Sequence, residues 1–184
     1  MDEKKSRYVK LIDDVISFGQ MFIIAIVLVF LFTNYLLKPV QVDGSSMYPT
    51  LKDKSVGFSN VFSRVNSGIE RFDIVVVFVE QEDKYLVKRV VGLPGETIEY
   101  RDDVLYVNGV VVKEDFLNTP YVKQQIAEYG SPFSKNITPV KLKENEYYLL
   151  GDNRKYSRDS NFYGPFLGES IVSKDVYVIL KLGG

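Results

Sequence analysis

The chain has neither cysteine nor histidine in its 184 residues. Without cysteine there is no disulfide, no thiol nucleophile and no thiolate metal ligand, and the redox compartment stays open. Without histidine, Ser-His-Asp catalysis, imidazole bases and the commonest zinc ligand are excluded together. An excess of charge is also lacking: 23 Lys and Arg stand against 24 Asp and Glu, a formal net charge of −1. Such a balance gives no field to hold nucleic acid or steer an acidic ligand, so a nucleic-acid partner is not expected. Any hydrolytic chemistry falls to Ser, Thr, Lys, Tyr or carboxylates, and the reading calls for no cofactor and no metal. The length suits one domain with its own core plus a short appendage.

What is present begins with a long apolar run, "VISFGQMFIIAIVLVFLFTNYLL", free of charge between Asp14 and Lys38. About 23 residues at about 1.5 Å rise cover about 34 Å, enough to cross the hydrocarbon core. Lys4, Lys5, Arg7 and Lys10 precede it and Lys38 alone follows closely, so the positive-inside rule puts the N-terminus in the cytoplasm. "TNYLLKPVQV" offers no small-x-small cleavage site, which favours an uncleaved anchor over a removable signal peptide. The expected organisation is a cytoplasmic tail over 1–14, a transmembrane helix over 15–37, and an extracytoplasmic domain over 38–184, single-pass in the cell membrane.

From Pro39 the pattern changes. "VQV", "SVGFSNVF", "FDIVVVFVE", "YLVKRVVG", "TIEYRDDVLYVNGVVV", "EYYLL" and "DVYVIL" are short, β-branched and aromatic, and bounded by Gly, Asp, Asn or Pro, the signature of strands. Asn108-Gly109 is a two-residue hairpin signal. Residues 113–145 loosen into a polar excursion with one short helix and no expected chemistry. Within it Asn136-Ile137-Thr138 fits a glycosylation acceptor, a pattern short enough to arise by chance.

Three stretches place polar residues where a β framework does not call for them. In "GSSMYPTL", Gly44 frees the backbone and Pro49 fixes a turn, so a hydroxyl can be held with N–H groups aimed at it; an ordinary turn has the same composition. In "YLVKRVVGLPGE", alternation sets Lys88 on the face of Leu86 and Val90, and Arg89 on that of Val87 and Val91. Lys88 is either an edge-strand or snorkelling lysine or a base whose pKa desolvation lowers. "GDNRKYSRDSNFYGPF" is either a solvated loop or a support whose hydroxyl orients a lysine and whose ion pairs fix the loop.

Taken together these stretches resemble the bacterial type I signal peptidases over nearly the whole chain. An anchor, "SMYPTL", "FDIVVVF", "KRVVGLPGE", "LYVNG" and "GDNRKYSRDS" occur in that family's order. The resemblance implies a mainly β fold, a curled antiparallel sheet or partial barrel shared with self-cleaving SOS repressors, and a single anchor as in the Gram-positive branch. It implies Ser46 as nucleophile and Lys88 as general base. Asp152, Arg154, Ser157, Asp159 and Ser160 fall on its third motif, where the Ser157 hydroxyl helps hold the lysine amine. The implied activity is removal of signal peptides from exported preproteins after Ala-x-Ala type sites, with those signal peptides, the bilayer and the translocation machinery as partners.

Two positions depart from the family pattern. Gly44 stands where many Gram-negative relatives carry an oxyanion-stabilising Ser, which leaves the backbone N–H of Ser46, with Gly44 as a second backbone candidate. Asn161 stands where an Arg usually pairs the motif's Asp, so Asp159 is expected to turn to Arg154 or Arg158. A different class of function, a non-enzymatic membrane-anchored assembly protein on the same scaffold, would have been signalled by loss of Ser46 or Lys88. A cytoplasmic self-cleaving regulator would lack the apolar run.

Overall fold

The computed structural model describes residues 2–35, 37–130 and 132–180, so Met1, Leu36, Ser131 and residues 181–184 of the expected spans lie outside the described residues. The chain divides into two compact units, 1–37 and 38–184. The first is the helix α1 (Asp2–Tyr35). It starts well before the apolar run, because the preceding Lys, Arg, Glu and Leu residues are themselves good helix formers. Its apolar side chains are exposed from Leu11 to Phe30. The stretch Lys10–Phe30 is long and apolar enough to cross a membrane.

The second unit is mainly antiparallel β. Its strands are β1 (Leu37–Gln41), β2 (Val56–Asn60), β3 (Ile74–Val79), β4 (Lys84–Gly92), β5 (Thr97–Arg101), β6 (Val104–Val107), β7 (Val110–Val112), β8 (Ile137–Lys141), β9 (Glu146–Leu150), β10 (Phe166–Leu167) and β11 (Ile171–Leu180). Three short helices accompany them, α2 (Val61–Ser67), α3 (Pro120–Tyr129) and α4 (Ser160–Tyr163). A 7-stranded sheet runs in the order β1-β2-β11-β3-β4-β9-β10, and a 4-stranded sheet in the order β7-β6-β5-β8.

Two elements differ from the sequence pattern. "SVGFSNVF" breaks at Asn60, whose side chain accepts the Ser63 N–H and caps α2, so a β-branched run turns helical at its N-cap. β8 arises inside the loose excursion despite Pro139, because it is an edge strand of the small sheet, where a missing N–H can face outward. The excursion also carries α3, closed by the Thr119 side chain at its start and Gly130 at its end. The hairpin signal is realised between β6 and β7, with Val107 opposite Val110 and positive φ at Asn108 (51°) and Gly109 (80°), as a primed turn requires.

Three buried clusters join these layers. Val91, Tyr148 and Leu150 of the large sheet meet Ile98, Tyr100, Leu105 and Val107 of the small one. Val75, Val77, Val79, Val90 and Leu149 form a second cluster with Phe166 and Ile171. The third seats Val42, Met47 and Leu51 against Ile74, Val87, Val176 and Val178. Burying Met47, only 1% exposed, contributes about 1.5–3 kcal/mol and fixes the turn that carries Ser46.

Candidate active site

Ser46 sits in a turn pinned at both ends. Val42 and Ser55 are joined by a backbone hydrogen bond, as are Lys54 and Val42, and within the turn the Leu51 N–H donates to the Met47 carbonyl. Met47 and Leu51 point into the core while Ser46 stays half-buried. Gly44 takes a φ of +96°, a region glycine enters freely. Its N–H donates to the Asp53 carboxylate at 2.6 Å. The Ser46 N–H meets no acceptor among the described residues.

Lys88 comes from the middle of β4, opposite Val75. Leu86 and Val90 share its face and pack into one cluster with Val75 and Val77, so strand alternation drives the amine into an apolar layer. The residue is 2% exposed and its Nζ lies 2.7 Å from Ser46 Oγ. Burial pushes its pKa down to about 8, against the opposing pull of the Asp159 carboxylate. A lysine so placed is deprotonated in a useful fraction of molecules near neutrality, as a general base must be.

The loop after β9 brings the third motif beside this pair. Asp152 is fully buried and joins three remote segments. Arg89 donates from Nε to Oδ1 at 2.8 Å and from Nη2 to Oδ2 at 2.6 Å, and Thr50 Oγ1 donates to Oδ2 at 2.5 Å. Arg89 also donates to the Phe72 carbonyl at 2.8 Å and lies over the Phe116 ring at 4.0 Å. Asn153 donates its N–H to the Ser46 carbonyl at 3.0 Å and its side-chain amide to the Ser45 carbonyl at 3.1 Å. A Cβ at Gly151 would lie 2.3 Å from Ser157 Oγ and 2.4 Å from the Ser46 carbonyl, so a backbone without a side chain passes between them.

The remaining motif residues take different parts. Arg154 is buried away from Lys88, paired with Glu114 at 2.5 Å and donating to Tyr100 Oη, Ser134 Oγ and the Gly151 carbonyl. Ser160 Oγ accepts the Leu149 N–H at 2.8 Å. Ser157 Oγ is buried with no hydrogen-bond partner among the described residues, so in this geometry it does not hold the lysine amine.

Asp159 pairs with neither expected arginine: Arg154 is taken by Glu114 and Arg158 by Glu82. Its carboxylate accepts the N–H groups of Gly151 and Asn161 instead. Asn161, in place of the family's Arg, accepts from Tyr148 Oη at 3.0 Å.

A buried carboxylate held only by N–H groups leaves its charge to act on Lys88, where it favours the ammonium. Restoring a cation with Asn161→Arg is therefore expected to move the acidic limb of the kcat/KM profile to lower pH. The check is the profile of both proteins on one peptide; an unchanged or raised limb would show that Asp159 does not set the lysine's protonation.

Several site residues were not assigned from sequence. Arg89 carried no role there, and Thr50 and Asn153 were passed over although both lie inside quoted motifs. Glu114 falls in the stretch from which no chemistry was expected. The sequence carried no signal for it, because the need for an anion follows from the burial of Arg154, which only the fold shows.

Comparison with known proteins gives consistent matches. The family model for signal peptidase, peptidase S26, matches residues 15–180. Signal peptidase I P of Bacillus subtilis subsp. natto is 33% identical over 175 residues, 95% of this chain and 93% of that protein. Signal peptidase I V of Bacillus subtilis strain 168 is 40% identical over 152 residues, 82% of this chain and 90% of that protein. Among solved structures, a signal peptidase I of Enterococcus faecalis V583 aligns with a TM-score of 0.52 at 33% identity, over 58% of this chain and 95% of the other.

Proposed function

Since this chain belongs to the signal peptidase family, peptidase S26, and is a serine endopeptidase of the signal peptidase I type, we propose that Ser46 and Lys88 are its catalytic dyad and that it cuts preproteins after Ala-x-Ala type sites. The observation that carries this is the 2.7 Å contact between a turn serine and a buried lysine of pKa about 8. Neutral Lys88 takes the proton of Ser46 as Oγ attacks the scissile carbonyl, and the ammonium then protonates the leaving amine. Water resolves the acyl-enzyme with Lys88 again as base. Of the two backbone donors expected for the oxyanion, Gly44 is occupied by Asp53, so the role falls to the Ser46 N–H.

Ser157, whose orphan hydroxyl crowds the same side of Gly151 as the Ser46 carbonyl, is the group we assign to the charged amine when it forms. Asp152, Arg154 and Ser160 position the loop. A cavity of about 330 Å³ on the large sheet beside β1, lined in part by Val40, Gln41, Val76 and Val87, is the place we assign to the substrate segment before the cleaved bond. The basic residues ahead of the apolar run put the tail over 1–14 in the cytoplasm and 38–184 outside, with the span between. The test is cleavage of an Ala-x-Ala precursor by the full chain in detergent micelles, with Ser46→Ala as control. Uncut precursor with the wild-type protein, or equal cutting by the variant, overturns the proposal.

Lys88 also links activity and stability to pH. The acidic limb of kcat/KM is expected near pH 8, the pKa of the base in the free enzyme. Because the folded pKa lies below its ordinary value of 10.5, the unfolded chain binds more protons between about pH 8 and 10.5, and stability rises with pH across that window. Below about pH 8 the full cost of burying the ammonium is present. Lys88→Met is expected to raise stability by about 2–3 kcal/mol at pH 7 and by little at pH 11. Urea midpoints at the two pH values check this, and a variant equally stabilised at both would contradict it.

A further inference from the structure

Beyond the dyad, a row of aromatic rings begins two residues past the nucleophile. Tyr48 meets Tyr121 edge-on, with centroids 4.7 Å apart and planes at 88°. Tyr121, near the start of α3, is backed by the buried Phe133 at 6.4 Å, and its hydroxyl donates to Asn153 Oδ1 at 3.1 Å. Asn153 is the residue that holds the Ser45 and Ser46 carbonyls, so these rings are fastened to the nucleophile's own turn. Tyr156 adjoins Tyr121 and shares a hydrogen bond with Tyr129, and Lys155 Nζ lies 4.6 Å over the Tyr129 ring. Tyr129 and Tyr156 are 50% and 55% exposed.

Resting on the dyad assignment, we propose that Tyr48, Tyr121, Tyr156 and Tyr129 form a binding shelf for the substrate segment that follows the cleaved bond, with preference for an apolar or aromatic side chain two or three residues beyond it. The cavity beside β1 and Val87 is a recess of mixed lining, with Val40, Val76 and Val87 beside Gln41, Ser59 and Ser173. The tyrosine row is open and built of rings whose edges carry polar tips, fitted to a varied chain. An extended chain advances about 3.3 Å per residue, so three residues cover about 10 Å, against the 4.7 Å that separates the Tyr48 and Tyr121 rings. Hydroxyls tied to Asn153 and to each other hold the rings in place, so little ordering is needed on binding.

The chain contains no tryptophan, so a single Trp in a peptide reports binding without background. The host is the full-length Ser46→Ala protein in micelles, and the probe an Ala-x-Ala peptide with Trp at the third position after the bond. Trp emission is expected to shift on binding, and Kd to rise roughly 3- to 10-fold when Tyr129→Ala or Tyr156→Ala is added, the range of one aromatic contact. The same variants should abolish the wild-type KM advantage of Trp over Gly at that position.

No binding, an unchanged Kd in both variants, or sensitivity only to a Trp placed before the bond overturns the shelf. Cleavage that ignores the downstream residue sinks the shelf and leaves the dyad standing. Tyrosine-dependent binding by a protein whose wild type cuts nothing sinks the dyad and leaves the shelf.

Discussion

Ser46→Ala and Lys88→Ala are each expected to lower kcat/KM for precursor cleavage by about four orders of magnitude, and the double variant to lose little more. The near-coincidence of the three values is the informative part. A nucleophile without its base stays protonated, and a base without its nucleophile has no proton to take, so removing either abolishes the same step. Residues with separate contributions would multiply instead. Far smaller losses in either single variant, or a double variant inactivated by the product of the two, would break the assignment. Urea unfolding of Ser46→Ala separates chemistry from folding, because a half-buried hydroxyl in a turn held by Met47 and Leu51 contributes little to stability.

The second large effect is structural. Arg154 and Glu114 are buried with side chains 2% and 6% exposed, so neither charge has water to fall back on. Glu114→Ala is expected to cost about 3–5 kcal/mol, as removing one partner of a buried pair does. Activity should fall with stability, since Arg154 also grips the Gly151 carbonyl in the loop beside Ser46. Replacing both partners, Arg154→Met with Glu114→Leu, should recover much of the stability, because the desolvated charges then disappear together. A single variant as stable as wild type would show that water reaches the pair.

Legibility in the sequence followed the kind of interaction. The apolar run, the alternating strands and the Asn108-Gly109 hairpin were readable because they depend on local periodicity and turn geometry, and the chain folds as a mainly antiparallel β unit with α1 ahead of it. Ser46 and Lys88 stood out because a hydroxyl in a turn and a cation in an apolar strand are each locally anomalous. The contacts of Asp152 with Thr50 and Arg89 were not readable, since their spacing along the chain has no period and only the sheet pairing brings them together. The partner of Asp159 was misjudged for a related reason. Two arginines lie close in sequence, but Arg154 is taken by the buried Glu114 and Arg158 by Glu82, and the loop offers N–H groups instead. β8 was missed because its proline reads as a break unless the strand is known to be an edge.

The place of β11 in the large sheet bears on when the enzyme can act on anything at all. This last strand in the described chain lies between β2 and β3, two strands laid down early. Until residues 171–180 arrive, each of those strands has an open edge, and the layer holding Ile74, Val87 and Val176 against Met47 is missing one wall. Assembly of the seat beneath Ser46 thus waits on β11, a strand made after both of its neighbours. A chain cut ahead of Ile171 is expected to leave both strands with an open edge and the wall behind Met47 incomplete.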